Sequence, residues 1–225
     1  MTSSAQGRVA LITGAGGGLG SVVAPAFRSA GYQVVTEDPE SRGSGPRWFD
    51  ALDAEDAAAA VGRVVSAYGR IDVLLNLVGA FKPVPPVAEI TDSEWESLFN
   101  VNLRSVLVVS RAVLPHMIDR GFGRIVNVGA KQGERGAAGS APYAAAKAGV
   151  LALTEVMAEE TRDKGVTVNA VVPSLIDTAA NRQAMPDADF TRWTPPEHIA
   201  ATMLFLSSDD AASISGERIH VFNQS

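Results

Sequence analysis

Short apolar runs alternate along the chain with segments whose apolar residues recur at helical spacing. The runs are brief and several are apolar throughout, which is typical of parallel strands covered on both faces. The predicted strands are residues 9–12, 32–36, 47–49, 71–76, 123–128, 166–173 and 216–221. Helices are predicted after Gly20, over residues 53–68, 95–117 and 142–162, and from Pro195 onward. This alternation predicts a doubly wound (Rossmann-like) α/β fold, a parallel sheet with helices on both faces.

Three stretches between these elements lack periodicity and are predicted as loops: residues 39–46, 81–90 and 129–141. Thr91 and Glu94 stand three residues apart before the third helix, the pattern of a capped helix start. We expect Asn102 to lie inside that helix, where asparagine has poor propensity and is usually a surface residue.

The length of 225 residues and mass of 23.5 kDa fit one domain, residues 1–225, with a short tail at 1–7. A net charge of −6 and a pI near 5.1 argue against a nucleic-acid surface. The apolar segments are too short to span a bilayer, and the N-terminus lacks a signal-peptide pattern. The expectation is a cytoplasmic protein that binds neither nucleic acid nor membrane.

Cysteine is absent, which excludes disulfides and thiolate chemistry. The three histidines, His116, His198 and His220, are scattered along the chain, so no metal centre is predicted. We interpret all three as structural residues without a partner group.

A glycine-rich turn joins the first strand to the first helix. Gly14 allows a tight turn, while Gly18 and Gly20 let a diphosphate approach the unpaired N–H groups at the helix N-terminus. Gly14, Gly18, Leu19 and Gly20 are therefore candidate cofactor-binding residues. The alternative is an ordinary glycine-rich βα turn.

Acidic residues follow the second and third predicted strands. Asp38 would accept hydrogen bonds from the adenosine ribose hydroxyls and repel a 2′-phosphate, which favours NAD over NADP. Glu37 stands one residue too early for this role. Asp50 and the Ala51 N–H could meet the adenine ring. The alternative for Asp38 is a solvated acid at a strand end.

Tyr143 and Lys147 are four residues apart on the helix predicted over 142–162, so they share one face. An adjacent ammonium group stabilises tyrosinate and is expected to lower the tyrosine pKa. Tyr143 is thus a candidate general acid/base. Because any helix can carry this pair by chance, the motif needs support from the rest of the chain.

That support comes from the intervals between the glycine loop, Asp38, Asn102 and the Tyr143/Lys147 pair, which resemble the short-chain dehydrogenase/reductase family over nearly the whole chain. The resemblance implies an NAD(H)-dependent oxidoreductase that moves a hydride between nicotinamide and a carbonyl/hydroxyl substrate. It implies that Tyr143 exchanges the proton at the substrate oxygen, that Lys147 holds the nicotinamide ribose, and that the Asn102 backbone anchors a relay water.

The same resemblance implies further residues of the coenzyme site, a substrate lid and a homo-oligomer. It adds Asn76, Gly79, Pro173, Ile176 and Thr178 to the coenzyme site, although a purely structural role is equally open for Asn76. Residues 177–194 become a substrate lid that Trp193 could close, with plain loop packing as the alternative for Trp193. The helices at residues 101–117 and 142–162 would form the interface of a homodimer or homotetramer.

One departure from the family pattern concerns the catalytic serine, whose position holds Ala130 here. The lost hydroxyl could cost roughly 3 kcal/mol of transition-state stabilisation for an ordinary ketone. Either Lys131, Gln132 or Ser140 substitutes, or the substrate does not need the donor, or redox chemistry has been lost. We place Ala130, Gln132 and Trp193 at the substrate site.

Residues 129–131 and 177–195 are similar to dihydropteridine reductases, short-chain members that lack the serine and use NADH. Asn102 departs from that pattern. Two alternatives to a general carbonyl oxidoreductase therefore stay open. One is an NADH-dependent dihydropteridine-type reductase, and the other is a nonredox catalyst or cofactor-sensing binding protein on the same fold.

Overall fold

The computed structural model describes residues 5–36 and 50–224. The strands in this part are β1 (Val9–Thr13), β2 (Gln33–Thr36), β3 (Val73–Asn76), β4 (Gly123–Val128), β5 (Val166–Pro173) and β6 (Arg218–Val221). They form one parallel sheet in the order β2-β1-β3-β4-β5-β6. The loop predicted at residues 39–46 and the strand predicted at 47–49 lie outside the described residues.

Helices cover both faces of this sheet. They are α1 (Gly20–Ser29), α2 (Ala54–Tyr68), α3 (Asp92–Phe99), α4 (Ser105–Arg120), α5 (Lys131–Glu134), α6 (Ala141–Glu160), α7 (Ala179–Ala184) and α8 (Pro196–Leu206). One apolar cluster packs α2, α4 and α6 against one face, and a second packs α1 and α8 against the other. The predicted doubly wound α/β architecture is confirmed.

The strand order reverses between β2 and β3, which lie on opposite sides of β1. In a sheet of this kind, the chain segments that leave the two strands diverge and open a crevice at the carboxyl ends. The glycine loop after β1 and the segment after β3 both enter this crevice. The topology therefore predicts the ligand site at this edge of the sheet.

The helix predicted over residues 95–117 is in fact two α-helices joined by a π-helical turn, Asn100–Arg104. The Thr91–Glu94 capping box begins α3 as predicted. Within the π turn, the Ser105 N–H donates to the Asn100 carbonyl, one residue further back than in an α-helix. Such turns occur frequently at functional sites, and this one contains Asn102.

The run Asp92–Arg120 is 29 residues long and apolar enough to span a membrane by length and composition, so the expectation that every apolar segment is too short is wrong. Part of this run is buried inside the domain, where α4 packs against β3, β4 and α2. Core helices of globular domains share these properties.

The loop predicted over residues 129–141 contains a one-turn helix, α5. This helix packs closely on α6, because a Cβ built at Gly133 would lie 2.8 Å from the Lys147 carbonyl carbon. Glycine at this position is what allows the close approach. The segment that follows β4 is consequently held against the helix that carries Tyr143 and Lys147.

Candidate active site

A cleft of about 190 Å³ lies at the carboxyl ends of β1 and β3. It is lined by Gly14, Gly17, Gly18, Leu19, Gly20, Leu77, Gly79, Ala80, Phe81, Asn102, Val128, Tyr143, Lys147 and Ile176. The structure thus brings most of the predicted coenzyme and catalytic residues together. A larger concavity of about 670 Å³, beside Arg124 and Thr167 at the amino ends of β4 and β5, contains none of them.

The glycine loop forms the floor of the cleft at the start of α1. A Cβ at Gly20 would lie 2.3 Å from the Gly14 carbonyl oxygen, so the turn has no room for a side chain. The N–H groups of Gly18, Leu19 and Gly20 find no acceptor among the described residues, and Leu19 caps α1 without a side-chain hydrogen bond. This arrangement fits the diphosphate of a dinucleotide coenzyme.

The lid meets this loop through Thr178. A Cβ at Gly18 would lie 2.8 Å from the Thr178 methyl carbon, while the Thr178 hydroxyl accepts the Asn181 N–H and caps α7. Ile176 lines the cleft, and Pro173 ends β5 just before it. The predicted contacts of these residues with a nicotinamide remain predictions.

Asn102 is fully buried and binds the segment that follows β3. Its side-chain nitrogen donates to the carbonyls of Ala80 and Leu98 at 2.8 Å, and its oxygen accepts the Ala80 N–H at 3.2 Å. A Cβ at Gly79 would lie 2.9 Å from the Asn102 side-chain oxygen. The side chain therefore fixes the wall of the cleft, and its burial excludes the alternative of a tolerated surface asparagine.

Lys147 is 4% exposed, and its Nζ donates to the Val128 carbonyl at 2.8 Å. Because burial penalises the ammonium form, it lowers the pKa of Lys147 to about 8. The amine lies close to Gly79, where a Cβ would be 3.3 Å away. The predicted contact of this amine with a ribose stays untested.

Tyr143 lines the cleft one helical turn before Lys147. Its ring makes an edge contact with the exposed Phe81 ring at a centroid distance of 5.1 Å, and its hydroxyl has no partner in the described part of the chain. Burial raises the pKa of Tyr143 to about 12. The prediction that Lys147 lowers this pKa is wrong for this structure, since the Lys147 amine lies 5.8 Å from the ring centroid and donates to Val128.

Ala130 is 4% exposed and immediately precedes α5. Of the three groups predicted to replace the missing hydroxyl, Ser140 is already occupied, because its Oγ donates to the Ala137 carbonyl at 2.7 Å. Lys131 lies over the Phe222 ring at 5.4 Å. Gln132 is half-buried, and none of the three lines the cleft.

Trp193 is packed inside the lid. It is 4% exposed, contacts the Phe190 ring at 4.8 Å, and accepts a hydrogen bond from the Asn223 side chain at its carbonyl. Arg182 joins the cluster by pairing with Asp177 and covering Phe190. This environment favours the loop-packing alternative for Trp193 over a role in closing the cleft.

Three other predicted coenzyme contacts lie outside the cleft lining. Asn76 is 2% exposed and donates to Ser110 and Asn127, which favours its structural interpretation. Asp50 accepts the Leu52 N–H, and Ala51 is buried. Asp38 lies outside the described residues, so its role stays a prediction.

The structure adds contacts that the sequence did not indicate. The His220 ring lies 2.9 Å from both carboxylate oxygens of Glu134, so the interpretation of His220 as partnerless is wrong. Phe81 and the Val128 carbonyl belong to the site but were missed as site residues. The sequence indicated Phe81 only weakly, through its position in a loop predicted near the cleft. A backbone carbonyl such as that of Val128 cannot be identified from residue types.

Comparison with known proteins shows which family the chain resembles in sequence and fold. A family model for short chain dehydrogenase matches residues 8–189. Acetoacetyl-CoA reductase of Allochromatium vinosum is 33% identical over 238 residues, which cover 95% of this chain and 96% of the relative. The 3-oxoacyl-acyl-carrier-protein reductase of Vibrio cholerae is 35% identical over 237 residues, covering 96% of each chain. The ligand-free structure of Thermoplasma acidophilum aldohexose dehydrogenase matches with a TM-score of 0.88 at 25% identity, covering 97% of this chain and 94% of that one.

The buried amine makes stability depend on pH with a defined sign. The pKa of Lys147 is about 8 in the folded chain and 10.5 for an ordinary lysine, the value expected in the unfolded chain. Between these pH values the unfolded state therefore binds a proton that the native state lacks. Stability from this group therefore rises with pH. Relative to Lys147→Met, the wild type should gain roughly 2 kcal/mol of unfolding free energy between pH 7 and 9.5, measured by urea denaturation.

Lys164→Met is the matched control, because Lys164 is exposed. Its unfolding free energy should follow that of the wild type across this range. If Lys147→Met also follows the wild type, the amine is not desolvated as described.

Proposed function

The chain belongs to the short-chain dehydrogenase family, and on that premise we propose that it is an NAD(H)-dependent oxidoreductase that interconverts a carbonyl and a hydroxyl group. The observation that carries the proposal is the Tyr143 hydroxyl, which has no partner among residues 5–36 and 50–224. Tyr143 lines a cleft that also contains Lys147 and the N–H groups at the start of α1 that find no acceptor in those residues. An acid/base group and an anion site thus share one crevice.

A bound nicotinamide coenzyme would supply the hydride. On this proposal Gly18, Leu19 and Gly20 bind its diphosphate through backbone N–H groups, and Lys147 orients the nicotinamide end. Asn102 keeps the cleft wall in place through Ala80. Tyr143 holds the proton that the substrate oxygen receives or returns.

The protonation state of Tyr143 favours reduction at neutral pH. Since burial raises its pKa to about 12, the phenol is neutral and can donate its proton to an oxygen that gains negative charge. Oxidation of an alcohol would require the phenolate, which burial disfavours. The Allochromatium vinosum and Vibrio cholerae relatives are both reductases, and with the neutral phenol they support our proposal of a carbonyl reductase as the main activity of a cytoplasmic enzyme.

Ala130 favours one second candidate, an NADH-dependent dihydropteridine-type reductase. Its substrate, a quinonoid pterin, accepts a hydride without a serine-like donor on a ketone oxygen. Turnover of a quinonoid dihydropterin but not of ketones would select this candidate. Binding of NADH without any turnover would instead favour a cofactor-sensing protein.

Replacing Tyr143 by Phe tests the proposed acid. We expect kcat to fall by about 10² to 10⁴-fold, the usual contribution of a general acid, while NADH binding persists. The readouts are the absorbance of reduced nicotinamide, followed across ketones, alcohols and quinonoid pterins, and fluorescence titration of NADH. Tyr68→Phe, on the remote helix α2, should retain the wild-type kcat. A Tyr143→Phe enzyme with unchanged kcat would refute the role.

Asp38→Asn tests the proposed preference for NADH. Removing the carboxylate removes its repulsion of a 2′-phosphate, so kcat/KM for NADPH relative to NADH should rise at least about tenfold, equivalent to about 1.4 kcal/mol. Glu37→Gln is the neighbouring control and should leave the ratio in place. A wild-type enzyme that prefers NADPH would contradict the assignment.

We also propose that two copies pair through the outer faces of α4 and α6. Leu107 on α4 and Val156 on α6 are 44% and 51% exposed, although both are large and apolar. The double variant Leu107→Glu/Val156→Glu should sediment as a monomer, whereas the wild type sediments as a dimer or tetramer. Val87→Glu, at an exposed apolar residue outside these helices, is the control. A monomeric wild type would contradict the pairing.

A further inference from the structure

The cleft offers a substrate carbonyl few side-chain donors. Its polar lining side chains in the described part of the chain are Asn102, Tyr143 and Lys147. The Asn102 amide is bonded to Ala80 and Leu98, and the Lys147 amine gives one of its three N–H groups to Val128. On the proposed function, the remaining Lys147 N–H groups bind the nicotinamide end of the coenzyme. The Tyr143 hydroxyl is then the side-chain donor left for a substrate oxygen.

The segment after β4 adds no second donor. Ala130 has no hydroxyl, and the Ser140 hydroxyl is used by the Ala137 carbonyl. Lys131 extends over Phe222, and Gln132 lies outside the cleft lining. With the Lys147 amine shared between Val128 and the coenzyme, a carbonyl oxygen next to Tyr143 would therefore receive one side-chain hydrogen bond from the described residues.

A single donor limits which carbonyl groups can react. As hydride adds, negative charge grows on the oxygen, and removal of one such donor from an enzyme costs about 10² to 10³-fold in rate. A carbonyl that is itself electron-poor spreads this charge into a neighbouring group and depends less on the protein. The missing donor should therefore penalise simple ketones far more than activated ones.

The Phe81 ring indicates the shape of the activating group. Phe81 is 54% exposed, lines the cleft and contacts the Tyr143 ring edge to face at 5.1 Å. An exposed aromatic face beside the proton donor suits a flat, conjugated substrate that stacks on it. A planar molecule with two adjacent carbonyls satisfies both requirements.

We propose that the site is selective for conjugated 1,2-dicarbonyl compounds and reduces the matching simple ketones poorly, an inference that rests on the proposed reductase function. One carbonyl carbon receives a hydride, a proton with two electrons, from a reduced nicotinamide coenzyme, which is oxidised. The π pair of that C=O bond moves to its oxygen, which takes the Tyr143 proton. The product is an α-hydroxy ketone, and solvent returns a proton to the Tyr143 oxygen.

The kinetic test compares 1-phenyl-1,2-propanedione with 1-phenyl-1-propanone, which lacks the second carbonyl. The wild type should favour the dione in kcat/KM by about the ratio of their uncatalysed reactivities toward a hydride donor, a ratio that a second donor would compress. In Ala130→Ser, kcat/KM for the simple ketone should rise about 10² to 10³-fold more than that for the dione. Ala138→Ser adds a hydroxyl at an exposed position of the same segment and should not change the ratio.

A spectroscopic readout separates hydrogen bonding from turnover. The carbonyl stretch of carbon-13-labelled 1-phenyl-1-propanone, bound with oxidised coenzyme, should shift to lower frequency in Ala130→Ser than in the wild type, because a second donor polarises the bond. In Tyr143→Phe the stretch should move to higher frequency than in the wild type.

The outcomes distinguish the two proposals. Turnover of neither ketone nor dione by any form overturns the proposed reductase and this selectivity together. Turnover with equal gains for both substrates in Ala130→Ser, or a carbonyl stretch that does not respond to that substitution, overturns the single-donor selectivity alone.

Discussion

The hydrogen bond from the Lys147 amine to the Val128 carbonyl determines the geometry of the site. It joins α6 to the carboxyl end of β4 at 2.8 Å, in surroundings that leave the lysine 4% exposed. Because Tyr143 lies one turn earlier on the same helix, fixing the amine also fixes where the phenol enters the cleft. Gly79 and Gly133 make the arrangement possible, since a Cβ at either position would crowd the lysine.

A buried polar network behind the cleft keeps the sheet and helices in register. The Asn76 amide on β3 donates to Ser110 on α4 and to Asn127 on β4, and Asn127 donates to Thr154 on α6. These side chains have fixed partners in a buried environment, so a shift along the sheet would break the Asn76–Ser110 bond of α4 or the Asn127–Thr154 bond of α6. The Asn76 oxygen finds no partner in the described part of the chain, a cost of about 1–3 kcal/mol that the rest of the network offsets.

The hydrophobic pattern was sufficient for the strands of the described residues and for α1, α2, α6 and α8, because burial against a two-sided sheet imposes periodicities that a sequence records. It merged α3 and α4 into one helix and did not predict the short helices α5 and α7. The glycine loop could also be predicted from the sequence, because Gly14, Gly18 and Gly20 stand where close packing leaves no room for a side chain. The π turn around Asn102, the occupied Ser140 hydroxyl and the packed Trp193 could not be predicted this way. The π turn and the packed Trp193 depend on contacts between segments distant in the chain, such as Asn102 with Ala80 or Trp193 with Asn223. The Ser140 hydroxyl is taken by the nearby Ala137 carbonyl, a local bond that the residue pattern does not record.

Helical spacing alone predicts that Lys147 lowers the pKa of Tyr143, but burial in the folded chain raises that pKa instead. Helical spacing brings the two side chains to one face, but the same burial acts on both, raising the pKa of Tyr143 and lowering that of Lys147. Around pH 8 the amine changes charge while the phenol stays neutral. The charge at this end of the cleft therefore changes with the protonation of Lys147, while the Tyr143 phenol keeps its proton across the physiological pH range.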